Sequence, residues 1–179
     1  MVGAVILLMP WHQSQLRKAS IYKSLASVSA APETQTHITK SGKPTRLLIP
    51  SVAIDLAVAD GYVQENGEWV LSNDKAHYAL LTPLVNNKAG NTVIYGHNTK
   101  SVFKPTSAIK VGDELTIKTD NKLWFRYRYN SDANVDPTDV GVLSGRSDKP
   151  RATLITCSGL FYQNRRLMTF ELVENGEIK

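Results

Sequence analysis

The chain is short of the groups from which staples and cofactor sites are built. Its 179 residues hold one cysteine, Cys157, so no internal disulfide can form. Four histidines without a second thiol offer no cysteine-based metal site. The lone thiol is either a buried small hydrophobe or a nucleophile. Charge is modest too, at 21% of residues with a net +5. The cations stand singly or in pairs (Arg17-Lys18, Arg126, Arg128, Arg165-Arg166), with no zinc-finger spacing and no aromatic-and-glycine RNA motif. A basic but solvated surface is expected, and nucleic acid is not an expected partner. No collagen, coiled-coil or low-complexity signature is present, and the length suffices to bury a core without staples.

A long apolar run is lacking at the start of the chain as well. Residues 2–9 (VGAVILLM) are less than half of the about 20 apolar residues that a membrane-spanning helix needs. Pro10, Trp11 and then Arg17, Lys18 and Lys23 follow, the residues expected at a membrane interface, so the run reads as a truncated anchor. Residues 14–31 are mostly good helix formers without a clean apolar face. Residues 30–43 are rich in Thr, Pro, Ser and Gly and read as a stalk. The expected organisation is an anchor and stalk over residues 1–43 and one catalytic domain over residues 44–179.

From Pro44 the pattern changes to short apolar bursts between turn residues, the mark of an all-β barrel or sandwich. Residues 46–49 (RLLI) and 54–58 (IDLAV) predict strands broken at Pro50. Asn66-Gly67 before residues 69–71 (WVL) is a hairpin signal. Further strands are expected at 91–95 (NTVIY), 114–119 (ELTIKT), 123–129 (LWFRYRY), 152–156 (ATLIT) and 167–173 (LMTFELV). In the LWFRYRY run Phe125, Tyr127 and Tyr129 share one face while Trp124, Arg126 and Arg128 share the other, as period-two geometry requires. A short helix is expected near residues 75–80 and a turn near 105–109. About eight strands result, enough to close a small barrel.

Three places carry side chains fit for chemistry. Cys157 stands at the end of the ATLIT run and opens a polar loop, Ser158-Gly159-Leu160, where a nucleophile would be exposed on a rigid scaffold. Its position alone leaves open a packed, inert thiol. His97 follows residues 93–96, at another strand end, where Gly96 permits a tight exit. An imidazole beside a thiol can stabilise the thiolate and protonate a leaving amine, although a lone histidine can equally be a surface or structural residue. Arg165-Arg166 opens the last strand a short loop after Cys157, so strand pairing could bring one guanidinium to the thiol. A fixed fork of donors suits a tetrahedral oxyanion. The other of the pair would face solvent.

These residues carry a resemblance. Thr153-Leu154-Ile155-Thr156-Cys157 resembles the TLxTC signature of sortases, and Tyr95-Gly96-His97-Asn98 resembles their histidine motif. Residues 49–55 (IPSVAID) resemble the family's early IPxxxID segment. Ala89-Gly90-Asn91 resembles its approach to the histidine, and Val111-Gly112-Asp113-Glu114 its VGDE turn. The resemblance runs from about Pro44 to the end of the chain.

It implies an all-β fold, a closed eight-stranded barrel with short helices behind an N-terminal helical or membrane-proximal segment. It further implies that Cys157 is the nucleophile, His97 the acid or base, and Arg165, or alternatively Arg166, the third catalytic group. Strand parity favours Arg165: with it in the groove, Leu167 and Thr169 follow, and Met168, Phe170 and Leu172 fall on the core face. The implied reaction cleaves a surface-protein sorting-signal peptide of LPxTG type after its threonine and forms a thioester. Transfer to an amine, from a cell-wall precursor or a pilin lysine, follows on the outer face of the cell membrane.

No cofactor or metal is expected, since Asp60, Glu65, Glu68 and Asp113 show no ligand spacing. No acidic-aromatic lid precedes Arg46, which favours wall anchoring over pilus polymerisation. The serine-histidine-glycine-cysteine signature of L,D-transpeptidases is absent, and a papain-like cysteine would lie near the mature N-terminus and open a helix. The remaining alternative is a sortase-like binding module without turnover.

Overall fold

The computed structural model describes residues 38–65, 68–159 and 163–179. The expected anchor and most of the expected stalk lie outside the described residues. Among the described residues ten strands are present in this order: β1 Ser41–Gly42, β2 Pro44–Ile49, β3 Ile54–Gly61, β4 Ala76–Ala79, β5 Val85–Asn86, β6 Gly90–Tyr95, β7 Glu114–Thr119, β8 Leu123–Val135, β9 Pro150–Ser158 and β10 Asn164–Glu177. Eight of them close a barrel in the order β10-β8-β7-β2-β3-β4-β6-β9, and β1 pairs with β5 in a separate two-stranded sheet.

The barrel follows from alternation. In β8 Phe125 and Tyr127 are wholly buried and Tyr129 nearly so, while Arg126 and Arg128 turn outward toward Glu114 on β7. Leu47 and Ile49 of β2, Leu115 and Ile117 of β7, Leu154 of β9 and Met168 and Phe170 of β10 meet them in one core. Pro50, which has no N–H for a ladder, ends β2 in a 3-10 turn over Pro50–Val52, as expected.

Two expectations are corrected. Residues 75–80 form no helix: Ala76–Ala79 is a strand, parallel to β3 and antiparallel to β6, with all four residues buried. Four residues enclosed on both sides show no period that distinguishes strand from helix. Residues 69–71, expected as a strand, contribute only the isolated bridge Val63↔Trp69. The Asn66-Gly67 pair itself lies outside the described residues, but its flanks do pair, Gln64 N donating to Glu68 O at 2.8 Å and Val70 N to Tyr62 O at 3.0 Å. The count of eight barrel strands therefore holds with β4 in place of residues 69–71.

Candidate active site

The site is built where three strands meet. β6 and β9 are parallel neighbours with Tyr95 level with Ile155, so both chains leave the barrel at the same edge. That pairing brings Gly96-His97 beside Thr156-Cys157 although they are 60 residues apart. Gly96 N donates to Ile155 O at 3.1 Å, and Thr156 Oγ1 donates to Gly96 O at 3.0 Å. Glycine is required at position 96: a Cβ there would lie 2.8 Å from Val102 Cγ1 and 3.1 Å from the Phe103 ring.

The third strand, β10, runs antiparallel to β9 and sets Arg165 directly across from Cys157. Paired residues share a face, so the guanidinium stem and the thiol project together. Arg165 NH1 also donates to Asn164 O at 3.2 Å. Arg166, one residue on, turns to the opposite face. Its Nε donates to Asp132 Oδ2 at 2.5 Å and its NH1 to Thr106 O at 3.0 Å.

His97, Cys157 and Arg165 line one open groove, and Arg166 is not among its lining residues. The floor is apolar. Tyr95, Val93 and Ala79 form a small outer cluster against which Trp69, Val142, Leu143 and Ile155 pack. Trp69 meets the Tyr95 ring edge-on at 4.7 Å, and the His77 ring stacks on Tyr95 at 5.6 Å. The Tyr95 hydroxyl is buried and has no hydrogen-bond partner among the described residues; burial pushes it up to about 12. His77 is structural here, its Nδ1 3.1 Å from Asp60 O and its Nε2 3.0 Å from Ser72 Oγ.

One wall of the groove comes from Pro137, Asp139, Val140, Val142 and Leu143, which the sequence reading did not single out. The segment has little regular structure beyond a 3-10 turn, Gly141–Ser144. Side chains hold it instead: Asp136 Oδ1 accepts from Thr138 N at 2.8 Å and Thr138 Oγ1 at 2.6 Å, and Asp139 Oδ1 accepts from Gly141 N at 2.9 Å. The two bonds from Thr138, with the Arg165 charge as a smaller influence, hold the Asp136 carboxyl below the usual carboxylate range. Asp136-Pro137-Thr138 was the available signal, since it marks a turn, but nothing in it marks a groove wall. Among the described residues, no three His, Cys, Asp or Glu side chains stand together as a metal site.

A model of the sortase domain matches residues 47–171, most of the chain. The chain belongs to the sortase family. Solved sortases share the fold. Sortase A of Listeria monocytogenes is 23% identical, with a TM-score of 0.61, over 78% of this chain and 92% of that one. Sortase E1 of Streptomyces coelicolor, solved with a tripeptide in its active site, is 24% identical with a TM-score of 0.63 over 76% and 91%. Sortase C-1 of Actinomyces oris is 25% identical with a TM-score of 0.61 over 72% and 71%. A search of curated proteins gave no match. As the family implies cysteine transpeptidation, the groove holding the single cysteine of this sortase domain is the candidate active site.

Proposed function

We propose that the chain is a transpeptidase in which Cys157 is the nucleophile, His97 the proton carrier and Arg165 the oxyanion donor. The observation that carries this reading is the register Arg165↔Cys157, in a groove that His97 also lines. Cys157 Sγ, as thiolate, attacks the scissile carbonyl carbon, and the carbonyl π electrons move to oxygen. Arg165 donates hydrogen bonds to that oxyanion. Collapse breaks the C–N bond, His97 gives its proton to the departing amine, and a thioester remains on Cys157. An acceptor amine then adds to the thioester carbon and loses its proton to His97. The thiolate leaves, and a new amide has formed.

The substrate is a sorting-signal peptide of LPxTG type, cleaved after threonine. Trp69, Leu71, Val140 and Leu143 give the groove walls suited to its apolar residues. The acceptor is an amine of a cell-wall precursor or a pilin lysine, and the product is a surface protein joined to the wall. Residues 1–43 serve as membrane anchor and stalk on the outer face, and residues 44–179 as the catalytic domain. No cofactor enters this scheme. The test is incubation of the full chain with a panel of LPxTG-like peptides and an amine, beside Cys157→Ala. Cleavage after threonine by the wild type alone supports the proposal. Binding of peptide without cleavage would instead indicate a binding module.

A further inference from the structure

A band of large apolar side chains stands on the surface beyond the residues that line the groove. Tyr62 is 55% exposed, Val63 45%, Leu80 47% and Leu81 78%. Scattered singly, such residues would need no account. These four are neighbours. β3 and β4 run parallel with Gly61 level with Ala79, so Tyr62 and Leu80 leave their strands side by side, and Leu80 N donates to Gly61 O at 3.1 Å. Val63 bridges to Trp69, and Val70 N donates to Tyr62 O at 3.0 Å.

The band continues the groove floor. Ala79, one residue before Leu80, packs with Val93 and Tyr95 in the outer cluster, and Trp69 packs against them. Gly61, one residue before Tyr62, lies so close to Tyr95 that a Cβ would meet the Tyr95 hydroxyl at 2.5 Å. Burial chiefly, and the adjacent Tyr62 after it, raise that hydroxyl, so the two phenols stand near each other. One apolar surface therefore runs from Ile155 and Tyr95 past Trp69 and Ala79 to Tyr62, Leu80 and Leu81.

The order of the reaction decides which part of a substrate lies there. Between the two half-reactions only the acyl half remains, held by the thioester, so the groove retains residues on the N-terminal side of the scissile bond. The spacing agrees. Tyr95 is level with both Ile155 and His77, which puts Leu80 five residues along and two strands across from Cys157, about 19 Å at about 3.3 Å per residue and about 4.8 Å per strand. Four extended residues, LPxT, cover about 13 Å. The two residues before the leucine thus arrive over Leu80 and Tyr62.

We infer that Tyr62, Val63, Leu80 and Leu81 extend the peptide groove and take large apolar side chains that immediately precede the sorting signal. The occupant is the substrate's own polypeptide because the band is joined to the groove, and a peptide already seated there meets the band at high effective concentration. The inference rests on the transpeptidase reading given above.

The test gives the full wild-type chain an amine acceptor and two LPxTG-like peptides that differ only in the two residues before the leucine, Leu-Leu in one and Ser-Ser in the other. KM should be roughly tenfold lower for the Leu-Leu peptide, with kcat alike for both. In the double variant Leu80→Ser, Leu81→Ser the ratio of the two KM values should fall close to one. Because it is a ratio, a general loss of active enzyme leaves it unmoved. Equal KM values in the wild type, or a ratio that survives the double substitution, would overturn the inference and leave the band to another occupant, such as a second copy of the chain. Should the double variant not fold, Leu81→Ser alone, at the most exposed position of the band, is read in the same way. If the wild type cleaves neither peptide, the proposed function fails, and binding of the two labelled peptides to full-length Cys157→Ala, followed by fluorescence anisotropy, decides the role of the band. Tighter binding of the Leu-Leu peptide, lost when Leu81→Ser is added, supports the extension, and equal binding overturns it.

Discussion

Thr156, the residue before Cys157, donates its hydroxyl to the carbonyl of Gly96, the residue before His97, at 3.0 Å. One buried bond thus couples the two strand ends that bear the thiol and the imidazole. The bond is buried, so removing the hydroxyl takes from the Gly96 carbonyl a partner that bulk water replaces poorly.

Thr156→Val keeps the shape of the side chain and removes the donor. Stability should fall by about 1–3 kcal/mol, the cost of an orphaned buried carbonyl. Peptide cleavage should slow by roughly tenfold or more through the shifted His97 backbone, and Thr156→Ser should recover most of both losses. Thermal melts and steady-state kinetics check the pair of effects together. A valine variant as stable and as active as the wild type would show that the bond couples nothing.

Arg165→Ala should lower kcat by about 10²–10³-fold, the typical loss when one oxyanion donor is removed. Stability should stay close to that of the wild type, since the side chain stands in the groove and is not part of the barrel core. Kinetics of the variant against the LPxTG-like peptide, with a thermal melt as control, checks both halves.

Asp132 gives a prediction on the acid side. Its carboxyl is held below the usual range, first by the Arg166 hydrogen bond and against the opposing effect of burial, with the Tyr129 hydroxyl helping. A carboxylate depressed in the folded state stabilises it above the unfolded value, near 4, and that contribution is lost as pH falls through the folded value. Melting temperatures recorded from pH 6 down to pH 2 should therefore drop more steeply for the wild type than for Asp132→Asn. Parallel curves would remove the claim.

Tyr95 gives the corresponding prediction on the alkaline side. Burial pushes its hydroxyl up to about 12. A group raised in the folded state stabilises fully below its unfolded value, near 10, and the contribution disappears as pH rises through 12. Because the hydroxyl has no partner among the described residues, Tyr95→Phe should cost no stability at neutral pH and flatten the loss between pH 10 and 12. The Trp69 and His77 ring contacts survive that change. Denaturant melts at pH 7 and pH 11 distinguish it from a tyrosine whose hydroxyl is bonded.

Much of the site was legible because strand parity is a local rule. Met168 and Phe170 must share a face, and that face is the core, so Arg165 and Leu167 fall on the groove side and Arg166 does not. The alternating LWFRYRY run declared its own inner face in the same way. Pairing between distant segments was not legible. Nothing in residues 90–95 or 150–158 states that these strands lie parallel and adjacent, which is the relationship that brings His97 to Cys157. The strand Ala76–Ala79 was hidden because burial on both sides removes the period. The groove wall at residues 137–143 was hidden because side-chain turns, with no repeating pattern, hold it in place.

In the proposed reaction Cys157 carries the acyl group. The most direct measurement is the intact mass of the full chain mixed with an LPxTG-like peptide and quenched in acid before the amine acceptor is added. A thioester adduct is expected, equal to the peptide through its threonine less water, that maps to Cys157, is absent from Cys157→Ala and disappears with amide formation when the amine is supplied. Unmodified enzyme throughout, while amide product accumulates, would contradict it.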